Sequence, residues 1–295
     1  MQPHQTLQTI FRDSPTIDLL SREKINWYGL ADHALLPNLV QKLKASNTTW
    51  ANVFGDTCPA ETLAVAPILF HLDPTTKTLH QEQLTSWLAQ PEHLDQFILI
   101  ASPLSLPVLA HGLRNRLDAS LEPDLDMLLR YYDPHVFLPL IDVFTDTQKQ
   151  SFLSIAQAWF CPNRQGQMQR YSSEFIEHDL LETPIKLSQA QEDALLEANL
   201  IDQVALQMGV LDEDNTSSFR RLSAQEQYQQ ILAAIDTAKK IAHQNVPDIV
   251  LICQSVLEFG ASKAKLVAWQ ALLPAIKENK ISLSDALRQA TASPP

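Results

Sequence analysis

The chain has 295 residues, of which 45% are hydrophobic, and a formal net charge of −12 at pH 7. This length suits one large domain or two smaller ones. An acidic chain without a basic stripe argues against a nucleic-acid-binding protein. The six glycines are scattered and form neither of the two glycine-rich loops that bind nucleotide phosphates, so no cofactor is expected.

The cysteines and the N-terminus indicate a cytoplasmic protein. Cys58, Cys161 and Cys253 are far apart and include no CxxC pair, which predicts reduced thiols rather than a disulfide framework or a zinc ribbon. The first 20 residues lack the basic and apolar segments of a secretory signal peptide. No apolar run approaches the roughly 18 residues needed to span a membrane. We therefore expect no membrane partner.

Residues 1–183 alternate short strands with helices, which is typical of an α/β fold. Strands are predicted at residues 25–31, 48–54, 66–72, 97–101, 127–132, 158–161 and 167–171. Helical segments are predicted at residues 35–43, 59–64, 81–89, 103–118, 134–144 and 147–157. Arg114 and Arg116 lie late in the segment 103–118, where the helix dipole favours positive charge.

The segment 127–144 contains the sharpest local signal. Its apolar start and its two tyrosines predict a strand, which Asp133-Pro134 ends with a turn. Proline suits the first turn of a helix, and aspartate suits the N-cap position before it. The segment therefore predicts a strand, a capped turn and a buried helix in direct succession.

Residues 184–295 are predicted to be helical, with a polar loop at residues 209–218. Helices are predicted at residues 187–207, with Ser188 as N-cap, and at residues 223–244, 247–259, 262–277 and 284–290. The fold class expected from both parts is an α/β (α+β) N-terminal lobe, 1–183, with a small mixed sheet flanked by helices. An all-α C-terminal lobe, 184–295, follows it.

Catalytic candidates are few. The nine histidines include no local metal-binding spacing. Asp32 and His33 follow the first predicted strand, where α/β proteins often build sites. Adjacent residues usually point in different directions, however, so an Asp32 that caps the next helix is the more common arrangement. Cys58 has no basic neighbour that would lower its pKa.

Two groups of residues are candidates for protein binding. Arg130, Tyr131, Tyr132 and Asp133 combine residue types that dominate binding hot spots. The structural alternative is that the tyrosines pack against the sheet and that Arg130 pairs with a carboxylate. In the helical lobe, Tyr228 and Trp269 are the candidates, although either could belong to the core.

In the order of these elements and in several short sequence motifs, the chain resembles the type VI secretion effector chaperones, or adaptors. The resemblance covers residues 25–162. The motifs that carry the resemblance are GLAD (29–32), LLPNLV (35–40), WANVFG (50–55), APILFHLDP (66–74) and RYYDPHVF (130–137), followed by Trp159. The chain departs from the family pattern by having His33 after Asp32 and Ser-Pro after the third strand, which affects turns rather than the assignment.

The resemblance implies a protein that is not an enzyme. Such adaptors bind one toxic effector in the cytosol, help to load it onto the VgrG spike, and are not secreted. Effector specificity would then lie in the variable helical lobe, 184–295. Two alternatives stay open at this point: an enzyme of unknown reaction that uses Asp32 and His33, with Asp133, at strand ends, and a structural subunit that forms homo-oligomers.

Overall fold

The computed structural model describes Leu7 and residues 25–55, 60–73, 78–94, 96–121, 125–163, 167–210, 219, 221–243, 245–259 and 262–292. The chain divides into two compact units, Met1–Leu195 and Leu196–Pro295. This division falls after Leu195, whereas the sequence predicts one after residue 183. Ile185, Leu187 and Leu195 all pack into the core of the first unit, which extends the unit past the predicted break.

A six-stranded sheet forms the centre of the first unit. Its strands are β1 (Asn26–Asp32), β2 (Trp50–Asn52), β3 (Pro67–Leu72), β4 (Phe97–Ser102), β7 (Ala158–Pro162) and β8 (Met168–Ser172). Their order is β2-β3-β1-β4-β7-β8, and every neighbouring pair is antiparallel. The predicted pairing of 167–171 with the preceding strand is confirmed.

Both faces of this sheet are covered, which explains why β4 is fully buried and is apolar from Phe97 to Ala101. One face packs against α1 (Leu39–Ala45) and α2 (Leu79–Leu88), and the short α3 (Pro91–Leu94) follows α2. The other face packs against α4 (Leu106–Asn115), α5 (Pro134–Val143) and α6 (Asp146–Leu153). A 3-10 helix, Ala60–Val65, precedes β3.

Gly29 makes the centre of the sheet possible. It lies opposite Phe70 in the β1–β3 register, and the Phe70 ring crosses over it. A Cβ at residue 29 would lie 2.1 Å from the ring atom Cζ, well inside van der Waals contact. A glycine in mid-strand, which usually weakens a strand, here allows a large ring to pack against the backbone.

A second sheet of three strands also belongs to the first unit. β5 (Asp118–Leu121) lies between β6 (Leu125–Leu128), which is antiparallel to it, and β9 (Ile185–Leu187), which is parallel to it. This sheet corrects two predictions. The helix predicted at 103–118 ends at Asn115 because a strand begins at Asp118, and the strand predicted at 127–132 ends at Leu128.

The second unit is helical, as predicted. α7 (Gln189–Val210) begins in the first unit and continues into the second, which also contains α8 (Ala224–Lys240), α9 (Val246–Phe259), α10 (Lys263–Lys277) and α11 (Leu283–Ala292). Ser223 caps α8 through a reciprocal pair of contacts with Glu226, and Ser262 caps α10. The predicted fold class, a sheet flanked by helices followed by a helical region, is confirmed.

Candidate functional site

An ion-paired cluster joins the end of β1 to the start of α5. Arg130 Nη2 donates to Asp32 Oδ2 at 2.7 Å and lies 3.7 Å from Asp133 Oδ2. Asp32 is buried, whereas 51% of the Arg130 side chain is exposed. We call these three residues the Arg130 cluster. Burial lowers the pKa of Arg130, but the hydrogen bond and the charge of Asp32 outweigh it, so the pKa is raised overall.

Asp133 has the capping role that its sequence predicts. Its Oδ1 accepts the backbone N–H of His135 at 2.9 Å, which satisfies an N–H in the first turn of α5. Burial raises the pKa of the Asp133 carboxyl, and the charge of Asp32 adds to this effect. The hydrogen bond from His135 and the charges of His135 and Arg130 oppose it without cancelling it.

The two tyrosines of the predicted recognition surface are buried. The Tyr131 hydroxyl donates to the Leu113 carbonyl at 2.6 Å, and the Tyr132 ring meets the Phe54 ring edge-on at 6.4 Å. Burial raises the pKa of both phenols. The structural alternative, with packed tyrosines and Arg130 paired to a carboxylate, therefore describes this structure. Among the four residues, the largely exposed side chain is that of Arg130.

Asp32 and His33 do not form a catalytic dyad. The Asp32 carboxylate binds Arg130 and also accepts the Ala34 N–H at 2.9 Å, whereas His33 Nδ1 lies 2.7 Å from the Leu63 carbonyl. Asp32 therefore caps the turn after β1 rather than the helix that follows, because α1 begins only at Leu39. Of the three residues in the enzyme hypothesis, Asp32 and Asp133 converge on Arg130.

A buried arginine, Arg116, is the polar residue that sequence reasoning missed. All five of its N–H groups are used: Nε donates to the Phe152 carbonyl, and Nη1 and Nη2 donate to the carbonyls of Gly112 and Ser151. The remaining two bind both carboxylate oxygens of Asp179, at 2.7 and 2.9 Å. Its side chain is 0% exposed, so its role is structural rather than a response to the helix dipole.

A signal for this burial was present in the sequence. Leu109, Leu113 and Arg116 follow one another at i, i+4 and i+7, which is the spacing of one helix face. Leu109 and Leu113 are fully buried, and Arg116 continues their line into the core. Nothing in the sequence indicated Asp179 as its partner, since 63 residues separate the two.

The candidates in the second unit differ in exposure. Tyr228 is half-buried, whereas Trp269 is only 2% exposed and packs near Phe259, with ring centroids 6.3 Å apart. Protein binding by these residues stays a prediction, but Trp269 could contribute to it only through the packing of the core. A cavity of about 440 Å³ in this unit lies between α9 and α11 and is lined by Leu251, Ser284, Leu287, Arg288, Thr291 and Ala292.

Metal and thiol chemistry receive no support from the described residues. Within them, no group of three or more His, Cys, Asp or Glu side chains is placed to hold a metal ion. Burial raises the pKa of the Cys161 thiol and raises that of Cys253 to about 11, so neither is an activated nucleophile. Cys58 lies outside the described residues.

No helix in the described ranges is both long and apolar enough to cross a membrane.

Comparison with known protein families gives a match over part of the chain. No curated protein and no solved structure matches the chain significantly. A family model described as a domain of unknown function (DUF4123) matches residues 27–151, and this segment includes β1 from Trp27 onwards, β2 to β6 and the whole Arg130 cluster.

Proposed function

We propose that this protein is an adaptor that binds a toxic effector in the bacterial cytosol. It helps to load that effector onto the VgrG spike of a type VI secretion system and is not itself secreted. The observation that carries the proposal is the family match over residues 27–151, which covers most of the motifs that the chain shares with the effector chaperones.

The structure supports the proposal because motifs that are far apart in the sequence contact one another in one packed region. Asp32 of GLAD pairs with Arg130 of RYYDP at 2.7 Å. Phe54 of WANVFG contacts Tyr132 of the same RYYDP motif. WANVFG and APILFHLDP also pair as β2 and β3. The resemblance is therefore carried by residues that stabilise one another, as expected of a scaffold shared within a family.

The helical unit is where we place effector specificity. The family match ends at residue 151, so the helices after Leu196 lie outside it. These helices expose large apolar side chains, with Leu206 69% and Val267 57% exposed. Exposed apolar side chains that form one patch mark protein-binding sites, and we propose that these two contribute to such a patch.

The enzyme alternative has less support. It requires Asp32 and His33 to act together, but each side chain is held by a different partner. Two carboxylates do converge on Arg130, yet Asp32 is buried and already paired. An assay that finds no turnover would not by itself establish the adaptor, so binding is the decisive measurement.

The test is affinity purification of the tagged protein from its host, followed by size-exclusion chromatography with light scattering. We expect a defined complex in which mass spectrometry identifies a toxin-like effector or a spike protein. A Leu206→Glu/Val267→Glu variant should lose the effector, whereas Val108→Glu, a similarly exposed site in the first unit, should retain it. Recovery of the protein alone while the secretion system is expressed would refute the adaptor role.

A further inference from the structure

The outer strand of the three-stranded sheet is exposed in an unusual way. All four residues of β6 are exposed, and three of them are large and apolar: Leu125 is 61% exposed, Met127 37% and Leu128 49%. Natural edge strands are commonly protected by short length, by charged side chains, by proline or by a bulge. β6 is short and carries one charge, Asp126, but it contains neither lysine nor proline, and its pairing with β5 runs without a bulge.

The apolar face of this sheet continues beyond the part that the core covers. Strand register places Met127 beside Ala119 and Ile185, and Leu125 beside Leu121 and Leu187, on one face. The exposure rises across the first of these rows, from 4% at Ile185 and 1% at Ala119 to 37% at Met127. β6 thus extends a core-facing layer into solvent.

The backbone of β6 is also open on its outer side. Leu129 N–H donates to the Leu117 carbonyl, and hydrogen-bonded pairs alternate along an antiparallel ladder. The inward-pointing groups are therefore those of Met127 and Leu125, and the N–H and C=O groups of Asp126 and Leu128 point outwards. Within the described part of the chain, β6 is the last strand of its sheet. Water can satisfy these groups at an exposed edge, and an extended segment can replace that water by pairing with them as an added strand.

Charge selects among the possible extended segments. Asp126 and Asp118 are both exposed and share the face opposite to Met127. Lys186 is exposed on the same face, but it lies on β9, two strands away from Asp126 and the open edge. A second copy would bring the same carboxylates and a net charge of −12 to this edge, which disfavours self-pairing. A lysine or arginine opposite Asp126 would be favoured, with apolar side chains on either side of it.

We infer that β6 is a docking edge for an extended segment of a partner protein with the pattern apolar–basic–apolar, which adds to the sheet as a fourth strand. This inference rests on the proposed function for the identity of the partner, the effector. The chemistry of the edge itself can be tested without that partner.

The first experiment uses a synthetic heptapeptide of alternating valine and lysine as the probe. We expect it to bind the full-length protein, measured by fluorescence anisotropy, and to slow hydrogen exchange at the Asp126 and Leu128 amides. Asp126→Lys and Met127→Lys should each weaken binding by at least about tenfold, since like charges across an interface are strongly unfavourable and a buried contact is lost. Val108→Lys, on an exposed helical site, should bind as the wild type does.

Two control peptides separate strand addition from simple charge attraction. Methylation of alternate backbone amides in the same peptide should abolish binding, and glutamate in place of lysine should weaken it. Equal binding by the methylated peptide, or no change in exchange at β6, would overturn the inference. A dimer in sedimentation that Asp126→Lys dissolves would also overturn it, because the edge would then serve a second copy.

Effector capture then separates this inference from the proposed function. Loss of the effector with Met127→Lys, but not with Val108→Lys, would support both. Capture of the effector by the β6 variants at wild-type yield would refute the docking edge and leave the adaptor role standing. Peptide binding at β6 by a protein that captures no effector would refute the adaptor role and leave the edge standing.

Discussion

Arg116 offers the sharpest test of how the first unit is held together. Replacement by methionine keeps an unbranched chain of similar bulk but removes five N–H donors from a site that is 0% exposed. The carboxylate of Asp179 and the carbonyls of Gly112, Ser151 and Phe152 would all lose a partner. Breaking a buried ion pair costs roughly 3–5 kcal/mol.

The lower end of that range applies here. The Asp179 side chain is 22% exposed, so water can partly replace the guanidinium. We therefore expect Arg116→Met to lower the free energy of unfolding by about 3 kcal/mol, and Arg116→Lys to recover only part of this because lysine lacks the planar fork of donors. Domains are stable by roughly 5–15 kcal/mol, so the loss is large.

The measurement is urea unfolding followed by tryptophan fluorescence, with all variants made in a Trp269→Phe background. The other four tryptophans precede Leu195, so the signal then reports the first unit. Arg114→Met is the matched control, since Arg114 lies in the last turn of α4 and Arg116 directly follows that helix. Arg114 is exposed and makes a hydrogen bond from Nε to the Val53 carbonyl, so we expect a cost of about 1 kcal/mol. Equal costs for the two variants would refute the reasoning.

Three further changes probe separate features. Gly29→Ala should lower the free energy of unfolding by about 1–3 kcal/mol, because the new methyl group forces the Phe70 ring out of place. Adding Phe70→Leu to this variant should recover part of the loss. Strictly additive losses in a double-mutant cycle would contradict the contact. Burial raises the pKa of Asp133, so this carboxyl binds its proton more tightly in the folded protein than in the unfolded chain. Its contribution to the free energy of unfolding therefore falls as the pH rises from about 4 through the raised pKa. Asp133→Asn keeps an N-cap acceptor, so urea unfolding from about pH 4 to 7 should show its stability relative to wild type rising with pH; a constant difference would be inconsistent with the raised pKa. Ser223→Ala should cost about 1 kcal/mol and Ser223→Asn only a few tenths, measured by thermal unfolding, because the alanine cannot cap α8; equal losses would argue against the cap.

Local signals in the sequence predicted local structure well. Asp133 caps α5, as predicted, through a hydrogen bond to the backbone two residues later. Thr145 caps α6 in the same local way, through the backbone N–H three residues later. β1, β3, β4 and β7 were also predicted, because each is a run rich in apolar and strand-forming residues. Residues 97–101 of β4 are uniformly apolar, as expected of a strand covered on both faces. These features depend on near neighbours, and near neighbours can be read from the chain.

The errors occurred where a distant segment decides the outcome. β5 is a four-residue strand, Asp118–Leu121, whose parallel partner β9 lies more than 60 residues away. Tyr131 and Tyr132 have strong strand propensity, yet they lie in a turn in which the burial of their rings outweighs that propensity. The candidate site was predicted only in part. A carboxylate partner for Arg130 was expected, but the sequence did not indicate that this partner is Asp32, 98 residues away.

The sequence by itself determined the two kinds of architecture, the helix caps and the segments that would be buried, since these follow from hydrophobic period and from side chains that bond their own backbone. Only the tertiary structure decided which charges meet, why Arg116 is buried, and that β6 leaves its edge open. The physical reason is that pairing across a sheet or between ions depends on distance in space. Local sequence patterns do not indicate which residues far apart in the chain lie close together in the fold.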